Sequence, residues 1–264
     1  MNVLLIGYGA ISQEVLKHIG AHEPARITAV LVRPARVEET RAALPDDIEV
    51  VAELDDLRTV PDLAAECAGH QAVAQHGAEI LRRGIDLVVI SIGSLSDRAL
   101  YGELAQAAID GRAKLLLPAG AVAGADALAA ARVGGLTRVT YTSRKPPGAW
   151  KGTPAEAEHD LAAMTEETVL LEGKADEAAR LYPQNANVAA TIALAGAGFD
   201  DTEVRLVADP AAGGNIHQLH AEGAFGEFDI EIRGKPLPDN PKTSTLAAHS
   251  VIHAIRNKAG AIEI

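Results

Sequence analysis

The sequence predicts an α/β protein in which a doubly wound parallel sheet comes first and a smaller α+β domain with a mainly antiparallel sheet follows. Three observations support this prediction. Short apolar runs alternate with helical patterns as far as about residue 120. A glycine-rich turn separates the first run from the first helical pattern. Beyond about residue 135, four short segments alternate apolar and polar residues, as half-exposed strands do.

The first part of the chain contains five apolar runs with the length of buried strands, at residues 3–6, 27–33, 49–51, 86–92 and 114–117. Helical spacing separates several of these runs, around residues 15–19, 71–83 and 97–110. Ser96 or Asp97 is expected to cap the last of these helices. Strands that alternate with helices in this way pair in parallel, with helices on both faces of the sheet.

The second part is predicted to form strands at residues 139–142, 203–207, 216–221 and 228–232, and helices at about 173–182 and 187–197. A final helical pattern extends from Ser244 to Asn257. We therefore expect a first domain over residues 1–120 and a second over residues 121–242. The last segment, 243–264, is expected to pack back onto the first domain.

Composition restricts the class of protein. The 264 residues have a formal net charge of −12 at pH 7, which argues against nucleic acid as a partner because phosphate binding needs a basic surface. We find no apolar stretch long enough for a membrane span and no signal-peptide pattern. The single cysteine, Cys67, suits a reducing compartment. These features predict a cytoplasmic protein without a membrane partner.

The first strand leads directly into the turn Gly7-Tyr8-Gly9-Ala10-Ile11-Ser12, which opens a helix. In this position Gly7 allows a tight turn, and Gly9 lets the backbone approach a pyrophosphate group. The helix N-terminus at Ala10 and Ile11 supplies N–H donors and the positive end of a dipole. Ser12 replaces the usual third small residue, and its hydroxyl could add a phosphate contact. The turn predicts a Rossmann-like domain that binds a nicotinamide dinucleotide.

The end of the second strand tests the choice between NAD and NADP. NAD sites usually place an acidic residue there, against the ribose 2′-hydroxyl. This chain has Arg33 instead, which can pair with a 2′-phosphate, so we predict that NADP is accepted, alone or alongside NAD. The alternative is that Arg33 is a solvated surface residue. Cys67 and Ala68 come directly before a predicted helix, and Ser91 lies at the end of a predicted parallel strand. All three are expected to border the same cofactor.

Three later segments are more specific than the glycine turn. They are Arg144-Lys145-Pro146-Pro147-Gly148-Ala149-Trp150, Tyr182-Pro183-Gln184-Asn185-Ala186-Asn187 and Gly213-Gly214-Asn215-Ile216-His217. Taken in order with the turn, they resemble the L-aspartate dehydrogenase family from residue 3 to about residue 257. The resemblance implies oxidative deamination of L-aspartate with NAD or NADP, in a fold similar to dihydrodipicolinate reductase. It also implies a homodimer and a possible link to the biosynthesis of NAD.

The resemblance places the family's catalytic histidine at His217 and its nicotinamide contacts at Ala121 and Asn187. His217 could hold a substrate carboxylate, accept the amine proton or orient water, and the residues do not separate these roles. Asn187 could also cap the helix that it begins. The first domain is then expected to bind the dinucleotide, and the second to bind substrate and form the dimer.

The substrate implied by the resemblance is a small dicarboxylic amino acid, which needs cationic or N–H donors for both carboxylates. Arg144 and Lys145 precede two prolines that stiffen the following loop, and Lys242-Thr243 is a second candidate. A surface basic loop is the alternative interpretation of these residues. His249 and His253 have the spacing of metal ligands on a helix, but no third ligand is apparent, and we predict no metal site.

Two other functions remain open at this point. The same scaffold could serve a reductase of imines or keto acids, which an assay with aspartate, glutamate and alanine would separate from an aspartate dehydrogenase. A nonenzymatic protein that senses dinucleotides would bind NAD(P)H without any turnover. His217 and the cationic residues of the second half argue against the sensor.

Overall fold

The computed structural model of the protein describes residues 1–20, 24–238 and 240–263, apart from the side chains of residues 184, 241 and 242. Contacts divide the chain into two compact units. The first unit contains Met1–Pro118 together with Ala247–Ile264, and the second contains Ala119–Leu246. None of the helices within the described residues combines the length and the apolar character that crossing a lipid bilayer requires.

The first unit is built on a parallel sheet of six strands. They are β1 (Asn2–Ile6), β2 (Arg26–Leu31), β3 (Glu49–Val51), β4 (Leu63–Glu66), β5 (Asp86–Val89) and β6 (Leu115–Leu116). Their order across the sheet is β3-β2-β1-β4-β5-β6, the Rossmann-type order. The connecting helices are α1 (Ala10–His18), α2 (Val37–Ala43), α3 (His70–Arg82) and α4 (Arg98–Gly111). The predicted parallel sheet is confirmed.

Strand β4 lies beside β1 in the middle of this sheet and was missed by the sequence analysis. Its residues Leu63, Ala64, Ala65 and Glu66 are completely buried. Alanine is depleted in strands and the segment has no β-branched residue, so its local pattern does not indicate a strand. Pairing with β1 on one side and β5 on the other imposes the extended conformation.

The second unit contains a five-stranded sheet in the order β11-β10-β7-β9-β8. Its elements, in chain order, are α5 (Ala125–Val133), β7 (Leu136–Lys145), α6 (Pro154–Glu158), β8 (Thr168–Lys174), α7 (Ala175–Leu181), α8 (Asn187–Ala195), β9 (Glu203–Ala208), β10 (Ile216–Gly223) and β11 (Gly226–Arg233). Only β7 and β9 pair in parallel among these strands, so the predicted mainly antiparallel sheet is confirmed. Strand β8 and helix α5 were not predicted.

The chain ends with a short antiparallel pair, β12 (Pro236–Leu237) and β13 (Asn240–Ser244), and the helix α9 (Thr245–Ala259). Val251, Ile252 and Ile255 of α9 are buried in one apolar cluster with Val15 of α1 and the strands of the first unit. The guanidinium of Arg256 donates to the carbonyl of His18 at 2.8 Å. The last helix therefore forms part of the apolar core of the first unit.

Candidate functional site

The glycine turn of the first unit has the backbone that a bound anion requires. Gly7 has a φ of +90°, and a Cβ at this position would lie 2.7 Å from the Cβ of Ala68, so only glycine fits. Helix α1 begins after Gly9 without a side-chain cap. The first N–H groups of a helix have no intrahelical partner, and with the helix dipole they attract negative charge. The turn therefore fits the pyrophosphate of a dinucleotide.

Ser12 supports this turn from inside the fold. Its side chain is completely buried, and its hydroxyl donates to the carbonyl of Gly7 at 2.8 Å. The expectation that the Ser12 hydroxyl contacts phosphate is therefore wrong. The reason is its position on the buried face of α1, where a small side chain fits and its hydrogen bond stabilises the turn.

Glu66 is a central residue that the sequence analysis did not assign to the site. It ends β4, is completely buried, and its carboxylate accepts four hydrogen bonds. Two come from the N–H groups of Ala68 and Gly69, at 2.7 and 2.6 Å, and two come from the N–H and hydroxyl of Ser91, both at 3.0 Å. One carboxylate thus fixes the loop after β4 and the loop after β5. Its place directly before Cys67 and Ala68, which were expected to border the cofactor, was the available signal.

A crevice of about 390 Å³ opens over the glycine turn within the first unit. It is lined by predicted cofactor residues, namely Gly7, Gly9, Arg33, Cys67 and Ala68, and also by Arg36, Thr40 and Glu53. Arg33 is exposed, and within the described part of the chain its guanidinium has no hydrogen-bond or ion-pair partner. The buried hydroxyl of Thr40 likewise has no hydrogen-bond partner among the described residues. The crevice therefore offers unused polar groups beside the turn.

Cys67 lies in the same crevice but is not a reactive thiol. Burial raises its pKa, and the neighbouring carboxylate of Glu66 acts in the same direction. A protonated thiol is a poor nucleophile and a weak hydrogen-bonding group. Cys67 therefore contributes shape to the crevice wall rather than charge.

A row of polar side chains occupies the buried face of β7 in the second unit. Tyr141, Ser143 and Lys145 alternate with Thr142 and Arg144 along this strand, and all three are buried. His217 on β10 pairs directly with Ser143 in the antiparallel register, so the two side chains share a face. The sheet thus brings His217 into the same row as Lys145, two strand positions from Ser143.

His217 is held by Tyr141. The Tyr141 hydroxyl lies 2.8 Å from Nδ1 of His217, and the two rings stack with centroids 6.1 Å apart. Burial lowers the pKa of His217 to about 4, and the positive charge of Lys145 acts in the same direction. Burial also raises the pKa of Tyr141. At neutral pH both groups are therefore uncharged, and Tyr141 keeps its hydroxyl proton.

Lys145 is buried, with 9% of its surface exposed. Its ammonium donates to Oδ1 of Asn185 at 2.6 Å and lies 5.1 Å from the centre of the Trp150 ring. Burial lowers the pKa of Lys145 to about 8. Trp150 is itself completely buried, and its Nε1 has no hydrogen-bond partner among the described residues. A cation and a free N–H donor therefore lie side by side in the interior of this unit.

Arg144, the neighbour of Lys145, is not part of this row. It lies on the opposite face of β7, where its guanidinium pairs with the carboxylates of Glu167 and Asp209. Both partners neutralise its charge within the protein. The structure therefore places Arg144 and Lys145, two of the predicted substrate-binding cations, on opposite faces of one strand. The side chain of Lys242 lies outside the described residues, and Thr243 is half-buried in β13.

The predicted nicotinamide contacts, Ala121 and Asn187, both belong to the second unit. Ala121 is nearly buried, in the turn before α5. Asn187 is the first residue of α8, whose N-cap is Ala186 without a side-chain cap. Asn187 therefore does not cap the helix. The carbonyl of Asn187 accepts a hydrogen bond from the Thr191 hydroxyl at 2.9 Å.

The parallel sheet with its uncapped glycine turn defines a dinucleotide-binding protein of the Rossmann type. Residues 126–258 match the family model described as aspartate dehydrogenase, C-terminal, and residues 7–118 match the model described as homoserine dehydrogenase, NAD binding domain. The chain belongs to the aspartate dehydrogenase family, as the resemblance of its sequence motifs predicted.

Relatives and solved structures agree with this family. The chain is 48% identical to an L-aspartate dehydrogenase of Ralstonia nicotianae and 47% identical to one of Pseudomonas aeruginosa, with complete coverage of both chains in each case. The crystal structure of aspartate dehydrogenase from Thermotoga maritima superposes with a TM-score of 0.76 at 26% identity, covering 100% of this chain and 99% of that one. Dihydrodipicolinate reductase from Paenisporosarcina sp. TG-14 shares the fold alone, with a TM-score of 0.55 at 14% identity over 98% and 93% of the two chains.

Proposed function

We propose that the protein oxidises L-aspartate with NAD or NADP to iminoaspartate, which hydrolyses to oxaloacetate and ammonia. Relatives that carry the name L-aspartate dehydrogenase match the whole chain and support this proposal. The observation that supports it most is the buried row of β7 and β10, where the cationic Lys145 and the neutral His217 share one face. Such a pair suits a substrate that has carboxylates to bind and an amine to deprotonate.

The first unit holds the cofactor through its own backbone. The N-terminus of α1 would bind the pyrophosphate, and Gly7 allows the tight turn that leads into this helix. Arg33 would pair with a 2′-phosphate of NADP, because its guanidinium is exposed and has no partner among the described residues. When bound, the cofactor would supply the acceptor for the hydride that leaves the substrate Cα.

In the second unit, Lys145 binds a carboxylate of the substrate. Its ammonium is fixed by Asn185 and by the face of Trp150, so little side-chain entropy is lost when the substrate binds. The free Nε1 of Trp150 offers a second donor in the same interior region. A buried donor without a partner costs about 1–3 kcal/mol, which a bound carboxylate would recover. Lys242 and Thr243 remain candidates for the other carboxylate.

His217 accepts the proton that the substrate amine loses. A neutral imidazole can do this, whereas a protonated one could only bind a carboxylate. Tyr141 occupies Nδ1, so Nε2 is the nitrogen that faces the substrate. The carboxylates of bound aspartate raise the pKa of His217 above the low value of the free protein, which makes it a better base. Ala121 and Asn187 contact the nicotinamide in this proposal.

We also propose, from the same family resemblance, that the protein is a cytoplasmic homodimer. Sedimentation of the purified protein tests the dimer. A mass equal to one chain at all concentrations would contradict it.

The activity is tested by following the absorbance of reduced cofactor, near about 340 nm, after aspartate is added with either NAD or NADP. We expect an aspartate-dependent rise, with glutamate and alanine as comparison substrates, and a loss of at least tenfold in kcat in His217→Ala. No rise with aspartate but oxidation of reduced cofactor by an imine or keto acid would favour the reductase. Tight binding of cofactor without any turnover would favour the sensor.

A further inference from the structure

Three side chains that ligate metals meet between α1 and α9, away from the glycine turn. Glu14 and His18 lie one helical turn apart on α1, and His249 lies in the first half of α9. One ligand atom from each residue lies within 4.8 Å of the other two. The pairing predicted from the sequence was different, since His249 was matched with His253 on its own helix.

The distances around Glu14 are close to those of a coordinated ion. Oε1 of Glu14 lies 3.4 Å from Nδ1 of His18 and 3.6 Å from Nε2 of His249. Ligands at about 2.1 Å from a tetrahedral zinc ion are separated by about 3.4 Å from one another. The edge between Glu14 and His249 therefore needs almost no change. Nδ1 of His18 also lies 3.0 Å from the backbone carbonyl oxygen of Glu14, so this ring turns away from that carbonyl when it binds an ion. The third edge, between the two imidazoles, closes by rotation of exposed side chains.

Helices α1 and α9, which carry these three side chains, pack into the same apolar core. Val15 of α1 and Val251, Ile252 and Ile255 of α9 are buried in one apolar cluster. Arg256 of α9 also bonds to the carbonyl of His18. Because the backbones are fixed by packing, the ligands would not have to be gathered from separate mobile segments, which lowers the entropic cost of binding an ion.

The remaining contacts of the group are compatible with an ion. The ammonium of Lys17 lies 3.3 Å from Oε2 of Glu14, so it contacts the oxygen that the two histidines do not share. Metal-bound carboxylates commonly accept such an outer hydrogen bond. The imidazoles of His18 and His249 are exposed, with ring centroids 5.4 Å apart, which gives an ion and its water ligands access.

We propose that Glu14, His18 and His249 form a binding site for a divalent transition-metal ion of the zinc type. Two imidazoles and one carboxylate suit this class, and water completes the coordination. A bound ion joins the N-terminal helix, which begins at the cofactor turn, to the C-terminal helix of the same unit. The site is independent of aspartate and of the residues of the second unit.

The test is calorimetric titration of ZnCl₂ into the untagged, metal-stripped full chain at neutral pH, without substrate or cofactor. We expect one ion per chain with micromolar affinity. His249→Ala and His18→Ala should each weaken binding by about tenfold or more, because each removes one of three protein ligands. His253→Ala is the matched control, since His253 lies one turn further along α9 and contacts Asn257. It should change the affinity less than about twofold.

Two further measurements keep the test decisive. Cobalt substituted for zinc should give visible absorption bands that disappear in His249→Ala. Thermal unfolding without metal should be equal in all variants, since the mutated side chains are exposed, and zinc should raise the midpoint only where the site is intact. Absence of binding, or equal binding in His249→Ala and the unmodified chain, would show that the three side chains only pair with each other. Neither result depends on whether the protein oxidises aspartate.

Discussion

The hydroxyl of Tyr141 lies 2.8 Å from Nδ1 of His217, and both side chains are buried on one face of the second sheet. The two residues lie on neighbouring strands and are 76 positions apart in the chain. It fixes the plane of the imidazole and leaves Nε2 as the only ring nitrogen that a substrate could use. Tyr141 is therefore a positioning residue for the proposed catalytic group.

Removing this hydroxyl should slow turnover without affecting the cofactor. In Tyr141→Phe, Nδ1 of His217 loses its partner in a buried site, which costs about 1–3 kcal/mol. We expect kcat to fall about tenfold or more, with an unchanged KM for NAD and a shifted acid limb in the pH profile. Steady-state kinetics over pH provide the measurement. Tyr101→Phe, on the exposed side of α4, is the control, and an equal loss there would discredit the assignment.

The buried His217 should make the fold sensitive to acid. The unfolded chain takes up the imidazole proton near the ordinary pKa of 6.5, whereas the folded chain does so only near 4. The stability contributed by the neutral ring is therefore complete above pH 6.5 and is lost as pH falls toward 4, by about 3 kcal/mol. Urea unfolding at several pH values should show a weaker pH dependence in His217→Asn. If the free energy of unfolding changes equally with pH in His217→Asn and in the unmodified chain, the prediction is refuted.

Lys145 should set the alkaline limit of aspartate binding. Its ordinary pKa of 10.5 is lowered to about 8 by burial, so the ammonium that binds carboxylate is present below this value and disappears above it. We expect kcat/KM for aspartate to fall as pH rises above about 8. In Lys145→Arg the fall should be absent, since a guanidinium does not titrate there. A kcat/KM that instead increases through this range would identify Lys145 as a proton acceptor.

Glu66 should govern cofactor affinity more than turnover. Glu66→Gln replaces one accepting oxygen by a donor. Either the Ser91 N–H loses its partner, or the N–H groups of Ala68 and Gly69 lose theirs together with the Ser91 hydroxyl, and the loops beside the crevice shift. We expect the KM for NAD to rise about tenfold, while kcat at saturating NAD changes less than about threefold. Ser91→Ala removes a single donor and should have a smaller effect. If Glu66→Gln lowers kcat without changing the KM for NAD, then Glu66 does not act by holding the loops beside the cofactor crevice.

Arg33 should decide the use of NADP. Its guanidinium lines the crevice and has no partner in the part of the chain that the structure describes. A charge-assisted bond to phosphate contributes about 1.5–3 kcal/mol. Arg33→Ala should raise the KM for NADP about tenfold or more and leave the KM for NAD within about twofold. Arg36→Ala is a matched control, because Arg36 lines the same crevice but pairs with Glu39. An unchanged preference between the cofactors would contradict the role of Arg33.

Much of the fold was predictable because its strongest elements are defined locally. The β-branched run of β5 and the alternation of β10 and β11 each show their secondary structure within a few residues. Strand β4 was not predictable, since its alanines are buried strand residues only because β1 and β5 flank them. The expected phosphate contact of Ser12 was also wrong because it depended on tertiary packing. The sequence shows a hydroxyl near the turn but not the direction in which it points.

The sequence by itself determined the cofactor turn, the presence of a parallel sheet and the family, since these depend on residue type at fixed spacing. Only the tertiary structure decided which side chains meet. It placed Lys145 with His217 and separated it from Arg144, because neighbouring residues of a strand point to opposite faces and register fixes the partners across strands. It showed that the carboxylate of Glu66 bonds to two loops and that His249 lies beside Glu14 of α1. These contacts join residues far apart in the chain, so the local spacing of residues does not indicate them.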